Sequence, residues 1–225
     1  MKSEDKPRPR AGRRRLAADQ DGADLAQETR RNIIEVATRE FVAHGFEGAS
    51  VNEIAKASDT SKRMLYYHFE SKQGLYAAVL EAAYARVGRN AEGADPGISA
   101  MESLRAYAQE AFDKFNANED FVRLIMAENL ANGSTIRGSD PVRRRSNANL
   151  AALDAICARG RAEGTMRPDF RVIDLYFAIL GVSFHAVSNR VSTEVSLGLE
   201  LGTEEELAFR RKLVGDLACR YAKTS

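Results

Sequence analysis

Apolar residues recur every three to four positions along most of this chain, and no stretch alternates with a period of two. This spacing places apolar side chains on one face of a helix, so it predicts α-helices rather than strands. The first pattern begins near Glu28, continues through an apolar stripe over residues 33–41 and ends at Gly45, a residue type that often terminates helices. We therefore expect the ordered chain to be all-α.

Residues typical of helix N-termini mark where the later helices begin. Ser99 precedes Glu102 by three positions, and Thr203 precedes Glu206 by the same spacing, which is the pattern of a capping box. The other predicted N-terminal caps are Ser50, Ser61, Ser71, Asn118, Asp140 and Asp169. Together with the first pattern, these caps predict about nine helices.

Two of the predicted helices are short and lie close together. Residues 51–57 and 61–68 are separated by three residues, which is the arrangement of a helix-turn-helix supported by the preceding helix. In that motif the second helix enters the major groove of DNA. Its start supplies groups that contact phosphates, guanine edges or thymine methyl groups: Ser61, Lys62, Arg63 and Met64.

Lys72 lies in the first turn of the next predicted helix, where the helix dipole disfavours a cation. A phosphate held jointly by the Lys72 ammonium and the helix N-terminus would explain this placement. We therefore expect Lys72 to contact the DNA backbone.

Residues 1–27 have a different composition, with many Arg, Asp, Gly, Pro and Ala residues and almost no large apolar ones. Such a segment buries too little surface to offset its ordering entropy, so it predicts a disordered basic arm. Arginines of the arm over residues 7–15 would enter a narrow A·T minor groove, or the arm is only a solvated tail; both readings stay open.

Net charge and cysteine content exclude few classes of protein. The 33 Lys and Arg residues balance the 32 Asp and Glu residues, so net charge is uninformative about nucleic acid. Cys157 and Cys219 are far apart and form neither a metal motif nor a disulfide framework, which predicts no metal, no cofactor and a reducing cytoplasm. The N-terminus lacks a signal-peptide core, and the apolar stretch 172–187 is too short to span a membrane.

The segments "HGFEGASVNEIAKAS" and "SKRMLYYHFESK" closely resemble the DNA-binding domain of TetR-family regulators, and the resemblance covers residues 31–80. It implies DNA contacts from a set that includes the start of the recognition helix: Ser50, Thr60, Ser61, Lys62, Arg63, Met64, Tyr66, Tyr67, His68 and Lys72. Two positions depart from the family pattern. Asp59-Thr60 replaces the more frequent Gly-Val, and Glu40 stands where an apolar residue is common.

Three of these residues have a competing structural interpretation. Tyr66 lies on the Leu65 and Phe69 side of a very short helix, which favours a core aromatic, whereas Tyr67 is the better phosphate donor. His68 either contacts DNA or closes the helix by packing, and the sequence favours neither.

The second half of the chain bears a weaker resemblance. "RLIMAENLANGSTI" and "FHAVSNRVST" resemble a TetR subgroup with a shared C-terminal domain, which implies a dimer formed by the last two long helices. Residues 175–184 are apolar on nearly all sides of their helix, so that helix must be buried on more than one face. The predicted interface residues are Ile179, Phe184, Val187, Val214, Leu217 and Tyr221.

Aromatic residues at helical spacing also suggest a ligand pocket between helices. Its candidate lining is Phe112, Phe115, Phe121, Met126, Tyr176, Phe177 and His185. Each of these residues, taken singly, is better explained as core, and His185 as a core histidine bonded to a backbone carbonyl.

An enzyme is disfavoured, because the three histidines and two isolated cysteines form no metal-ligand or nucleophile–base motif and no Gly-rich phosphate loop appears. An architectural DNA binder without an effector remains the alternative. The sequence predicts three regions: the arm 1–27, a helix-turn-helix domain 28–73, and a helical effector-binding and dimerisation domain 74–225. The expected function is a ligand-responsive repressor that binds a palindromic operator in double-stranded DNA as a homodimer, with a small-molecule effector and no membrane partner.

Overall fold

The computed structural model describes the backbone of residues 11–88 and 97–224, and their side chains from Asp24 onward. These ranges contain ten α-helices: α1 (Ala11–Gly48), α2 (Val51–Ala57), α3 (Lys62–Phe69), α4 (Lys72–Val87), α5 (Ala100–Ala117), α6 (Glu119–Leu130), α7 (Asp140–Ala162), α8 (Val172–Ser188), α9 (Arg190–Leu197) and α10 (Glu204–Ala222). The same residues form one isolated antiparallel β-bridge, between Met166 and Lys223. The predicted all-α class is confirmed, and the tenth helix is the short α9, which the sequence did not separate.

The first helix extends further toward the N-terminus than expected. The sequence predicts disorder up to residue 27, whereas the backbone is helical from Ala11, which corrects the prediction for residues 11–27. This stretch contains no proline, and adding residues to an existing helix costs little compared with starting one. The helix formed by the amphipathic part of α1 therefore extends toward the N-terminus. Residues 1–10, with the beginning of the predicted arm, lie outside the described residues.

The chain divides into two compact units, Met1–Leu75 and Tyr76–Ser225, and the division falls inside α4. In the first unit, α1 contacts α2, and α2 contacts α3. Its core includes the fully buried side chains of Ile33, Ile54 and Leu65. Gly45 interrupts α1 with φ 68° and ψ 177°, so the helix stops where the sequence predicted its end.

The second unit is organised around α5, which contacts α7, α8 and α10. Its buried core joins side chains from these four helices, among them Phe112 of α5, Leu153 of α7, Ile179 of α8 and Val214 of α10. Gly215 lets α10 approach α5 closely, because a Cβ at this position would lie 3.1 Å from a side-chain carbon of α5.

The start of α7 differs from the sequence prediction by one residue. Ser139, not Asp140, is the N-cap, and its hydroxyl accepts a hydrogen bond from the backbone N–H of Val142. The Asp140 carboxylate instead pairs with Arg143 in the first turn. Pro141 still occupies the first turn, where its missing N–H is not needed.

The start of α8 also differs. Asp169 was the predicted cap, but the helix begins after Arg171 and has no side-chain cap. Asp169 pairs with Arg167 at 2.9 Å, which draws its carboxylate away from the helix. The predicted caps Ser50, Ser61, Ser99 and Thr203 each accept the expected backbone hydrogen bond.

Cys157 and Cys219 are both free and buried. Burial raises the pKa of the Cys157 thiol to about 11, so the reactive thiolate is scarce at neutral pH. Across the described ranges, no group of His, Cys, Asp and Glu side chains is arranged to hold a metal ion. In the same ranges no single helix has the length and apolar character to cross a membrane, although α8 and α9 together meet that test as a pair bent by 71°.

Candidate functional site

The first candidate site is the α2–turn–α3 segment of the first unit. The Ser50 hydroxyl caps α2 by accepting from the Glu53 N–H, and the Ser61 hydroxyl caps α3 by accepting from the Met64 N–H. Between them, Asp59 adopts a left-handed conformation with φ 51°. The Asn32 side chain of α1 donates to the Ser58 carbonyl at 3.0 Å. These contacts fix the angle at which α3 leaves the turn.

The two faces of α3 have different environments. Leu65 and Phe69 are buried and anchor the helix to the first unit. The opposite face is open to solvent, and Tyr67 is the most exposed of its aromatic side chains at 78%. The predicted contact residues on this open face are Ser61, Lys62, Arg63, Met64, Tyr66 and Tyr67.

Tyr66 corrects the sequence interpretation of a core aromatic. Its side chain is exposed, and the Lys62 ammonium lies 5.9 Å from the centre of its ring. The reason is angular: position 66 lies about 100° around the helix from Leu65, and only Leu65 and Phe69 form the buried stripe.

His68 is half-buried, and its ring stands edge-on to Tyr67 with 5.4 Å between the ring centres. Its Nε2 atom is buried and has no hydrogen-bond partner among the described residues. The side chain therefore packs within the first unit, but its role in DNA contact stays a prediction.

Lys72 has two partners that the sequence did not reveal. Its ammonium donates to the Glu47 carbonyl at 3.1 Å and lies 5.0 Å from the centre of the Phe46 ring. These contacts offset the unfavourable position of a cation at the start of α4. The lysine thus holds the start of α4 against the segment that follows Gly45.

The hydrogen bond made by Glu40 explains why this position carries an acidic residue where the family usually has an apolar one. The Glu40 carboxylate accepts a hydrogen bond from the Ser50 N–H at 2.9 Å, ten residues along the chain. The Ser50 N–H precedes α2 and makes no hydrogen bond within a helix. The Glu40 carboxylate therefore supplies the acceptor that this backbone donor needs. The sequence signal was an acidic residue on the otherwise apolar side of α1.

The second candidate site is a cavity of about 430 Å³ in the second unit, among α4, α5, α6, α7 and α8. Its aromatic lining consists of Tyr84, Tyr107, Phe115, Phe121, Tyr176, Phe177 and Phe184. Phe115, Phe121, Tyr176 and Phe177 are thus placed where the sequence predicted a pocket, while Tyr84, Tyr107 and Phe184 were missed. Tyr84 lies in the region 74–225 that the sequence predicted to bind an effector, but the candidate lining was drawn only from helices beyond residue 111.

Three predicted lining residues lie elsewhere. Phe112 is buried in the core of the second unit, on the side of α5 away from the cavity lining. Met126 and His185 are exposed and do not line the cavity. Helical spacing alone could not separate these residues from Phe115 and Tyr176, because it does not say which face meets a void and which meets a neighbouring helix.

Polar groups of the cavity come mainly from neutral side chains. Tyr107 donates its hydroxyl to the Asn149 carbonyl at 3.0 Å. Burial raises the pKa of the Tyr84 hydroxyl, and the nearby Tyr176 and Glu128 add to this effect. Burial also raises the pKa of Tyr176, opposed by a hydrogen bond with the Asn149 side chain. These phenols therefore remain protonated at neutral pH.

The charged groups of the cavity neutralise each other. Lys114 pairs with Glu110 at 2.8 Å, one turn earlier on α5, and also donates to the Gly88 carbonyl at 2.9 Å. The cavity wall thus contains an ion pair and no cation left without a partner among the described lining residues.

At the end of α6, the buried Glu128 carboxylate accepts hydrogen bonds from the backbone N–H groups of Thr135 and Ile136. Burial, together with the charge of Glu128, raises the pKa of Tyr76 on α4 to about 12. The loop after α6 is further tied to α4 by the Ser139 hydroxyl, which donates to Glu81 at 3.0 Å. These bonds fasten the loop to α4 at residues that do not line the cavity.

The predicted dimer residues fall into two groups. Ile179 and Val214 are buried in the core, Val187 is half-buried, and Phe184 lines the cavity with its ring edge-on to Phe115, so these do not form an open apolar face. Leu217 and Tyr221 of α10 are exposed. Two further apolar side chains on these helices are exposed: Phe177 of α8, which the sequence assigned to the pocket, and Phe209 of α10.

Comparison with known proteins identifies the chain. Residues 33–79 match the family described as "Bacterial regulatory proteins, tetR family", which covers α2, α3 and the flanking parts of α1 and α4. Residues 101–218 match "Tetracyclin repressor-like, C-terminal domain". The chain belongs to the TetR family. It is a TetR-family transcriptional regulator, and its first unit carries the DNA-binding helix-turn-helix.

Individual TetR-family proteins extend the comparison over most of the chain. The HTH-type transcriptional repressor NicS of Pseudomonas putida is 30% identical over 203 residues, which cover 88% of this chain and 94% of NicS. The putative transcriptional regulator SCO4942 from Streptomyces coelicolor is 26% identical, with a TM-score of 0.63 over 86% of this chain and 98% of that one. A TetR-family regulator from Marinobacter aquaeolei shares the fold at 21% identity, with a TM-score of 0.65 over 91% and 100% of the two chains.

Proposed function

We propose that this protein is a ligand-responsive TetR-family repressor that binds a palindromic operator as a homodimer and is released by a small-molecule effector. The observation that carries the proposal is the division of α3 into a buried anchor, Leu65 and Phe69, and an open face with Lys62, Arg63 and Tyr67. Repression is supported by the relative NicS, which is itself named a transcriptional repressor.

In this proposal the open face of α3 enters the major groove. Lys62 and Arg63 reach phosphates or guanine edges, and Met64 meets a thymine methyl group. The hydroxyl groups of Ser50, Thr60, Ser61, Tyr66 and Tyr67 donate to phosphates, and the N-terminus of α3 adds its free N–H groups. Lys72 and His68 contribute from the margin of the same surface.

The homodimer is supported by the exposed apolar side chains of α8 and α10. Phe209, Leu217 and Tyr221 are exposed and Leu213 is half-buried, and these four residues follow each other at intervals of four along α10. Phe209 is 59% exposed and Leu217 is 45% exposed in the single chain. Phe177 adds a 63% exposed ring on α8, which packs against α10 in the same unit. A second copy would cover this surface, and two-fold symmetry would then require a palindromic operator.

The cavity supports an effector and argues against a purely architectural DNA binder. Its volume of about 430 Å³ is that of a small-molecule site. Tyr84 and Val87 of α4 line it, and the same helix begins at Lys72 in the first unit. A ligand that displaces α4 would therefore change how the helix-turn-helix is presented to DNA.

The test is selection of bound duplexes from a randomised DNA pool. We expect the wild-type protein to select a palindrome, and an Arg63→Ala/Met64→Ala variant to select a different one or none, since each base contact contributes roughly 1–3 kcal/mol of discrimination. Lys223→Ala, which removes an exposed cation of the second unit, is the control and should select the wild-type site. An unselective wild type, or the same site for the double variant, would defeat the proposed reading of α3.

A further inference from the structure

The cavity of the second unit is bordered by aromatic rings that already pack against each other. Phe121 is stacked on Phe115, with 6.0 Å between ring centres and 20° between planes, and edge-on to Tyr84 at 5.0 Å and 87°. Phe184 stands edge-on to Phe115 at 5.7 Å and 89°. These rings come from α4, α5, α6 and α8, so the void between the helices is bordered by both ring faces and ring edges.

An aromatic guest gains more from such walls than an aliphatic guest of equal area. Ring faces carry negative partial charge and ring edges positive, so stacked and edge-to-face contacts add attraction beyond surface burial. The volume of about 430 Å³ lies at the lower end of the range for small-molecule sites, which limits the guest to a few rings.

The charges of the cavity oppose a charged guest. Lys114 is already paired with Glu110 and bonded to the Gly88 carbonyl, so an anion entering the cavity would lose water without gaining a cation. An anion bound here would compete with Glu110 for the Lys114 ammonium.

The neutral polar groups favour a guest with an oxygen at one edge. Tyr84 of α4 and Tyr176 of α8 both line the cavity, and so do Ser146 and Asn149 of α7. Hydroxyl and amide groups at the margin of an apolar site fix the orientation of a ligand through hydrogen bonds.

We propose that the cavity binds an uncharged, flat aromatic molecule of one to three rings that carries a hydroxyl or carbonyl oxygen at one edge, and that this chemical class is the effector. The second part rests on the function proposed above. The aromatic walls select the ring system, Tyr84 and Tyr176 select the edge oxygen, and the Lys114–Glu110 pair excludes anions.

The first experiment compares four probes by isothermal titration calorimetry with the full chain: 2-naphthol, its saturated analogue decahydro-2-naphthol, the anion 2-naphthoate and the acyl chain laurate. We expect 2-naphthol to bind about tenfold more tightly than each of the other three, at pH 7.5. Equal or tighter binding of the saturated analogue, the anion or laurate would overturn the proposed class, and so would absence of 2-naphthol binding up to 1 mM.

Variants then locate the binding. Phe121→Leu keeps an apolar wall but removes a ring, and should weaken 2-naphthol about tenfold more than it weakens decahydro-2-naphthol. Phe184→Leu provides the same comparison if Phe121→Leu does not fold. Leu130→Ala removes an exposed apolar side chain of α6 that does not line the cavity, and it should change neither affinity. Equal losses for both probes in the cavity variants would show that the rings act only as apolar surface and would contradict the proposal.

The edge oxygen is tested by Tyr84→Phe with 2-naphthol and naphthalene. The variant should weaken 2-naphthol severalfold and leave naphthalene unchanged; equal effects would remove Tyr84 from the oxygen site. Operator binding is measured separately by fluorescence anisotropy. If 2-naphthol binds as expected but operator affinity does not fall, the binding class stands and the effector role fails; if operator release follows decahydro-2-naphthol instead, the class fails and the ligand-responsive function stands.

Discussion

Asp59 shows how one residue sets the geometry of the helix-turn-helix. Its φ of 51° lies in the left-handed region, which costs an L-residue with a Cβ about 1–2 kcal/mol, less for Asp and Asn. Position 59 departs from the TetR-family pattern, in which glycine is more frequent at this place. The backbone conformation now supplies the physical reason.

We expect Asp59→Gly to raise the free energy of unfolding by about 0.5–1 kcal/mol, since relief of the left-handed strain exceeds the entropy that glycine adds to the unfolded chain. Asp59→Ala, which keeps the Cβ but loses the polar side chain, should lower it. Urea denaturation followed by circular dichroism measures both changes. A stabilising effect of alanine equal to that of glycine would show that the turn is not strained.

Lys72 combines a structural contact with the proposed phosphate contact. We expect Lys72→Met, which keeps apolar contact with the Phe46 ring, to weaken operator and non-operator DNA alike and to reduce the slope of log affinity against log salt by about one unit. Fluorescence anisotropy across a salt titration measures the slope, and a melting curve checks that the fold is intact. An unchanged slope with unchanged affinity would remove Lys72 from the DNA surface.

At the scale of elements, dimerisation is tested on the exposed apolar residues of α10, Phe209, Leu217 and Tyr221. Leu217→Glu puts a charge on a side chain that is 45% exposed in the single chain, so it should leave the fold intact while opposing burial against a second copy. We expect sedimentation velocity to show a monomer at micromolar concentration, with a dimer for wild type. Phe184 is unsuitable for this test, because it packs on Phe115 inside the cavity.

Leu130→Glu is the matched control, since Leu130 of α6 is 85% exposed and lies outside α8 and α10. It should remain dimeric. A dimeric Leu217→Glu protein, or a wild type that is already monomeric, would refute the proposed interface.

A second element-scale prediction concerns Asp216 of α10, which forms an ion pair with Arg105 of α5 and another with Lys212 of its own helix. The hydrogen bonds of Asp216 with Lys212 and with Arg105 lower the pKa of its carboxyl from 3.8 to about 2. A carboxyl whose pKa is lower in the folded state stabilises the protein above its unfolded pKa, and this stabilisation disappears as pH falls through the folded pKa. Asp216→Asn should therefore be less stable than wild type at neutral pH, and the difference should vanish between pH 4 and pH 2.

Urea denaturation over this pH range measures the difference. In the Asp216→Asn background, Arg105→Ala should have little further effect, because its partner is already gone. A stability difference that is constant from pH 7 to pH 2 would contradict the assignment.

At the scale of the whole molecule, the N-terminal residues carry the remaining prediction. Residues 1–10 contain Lys2, Lys6, Arg8 and Arg10 against Glu4 and Asp5. Deleting them should weaken operator binding more at low salt than at high salt, because fewer counterions are released from DNA. Circular dichroism should show that the helices of residues 11–224 are kept, since the deletion removes none of their residues. Identical affinity across the salt titration would identify the segment as a solvated tail.

The helices and the family could be predicted from the sequence because both depend on local signals. Capping serines such as Ser50 and Ser61 bond to backbone groups three residues away, and apolar spacing of three and four marks one helix face. The helix-turn-helix could be predicted for the same reason, because its two helices and the turn occupy a short continuous segment. The prediction that the charges at the start of α3 contact DNA rests only on their place in that segment.

The direction of each side chain in the second half was decided only by the tertiary structure. Phe112 and Phe115 lie on the same helix three residues apart, yet one is buried in the core and the other borders the cavity. Ile179 and Phe177 of α8 divide in the same way between the core and solvent. The periodicity of a helix fixes which residues share a face, but the neighbouring helices decide whether that face meets a core, a void or water, and those contacts join residues far apart in sequence.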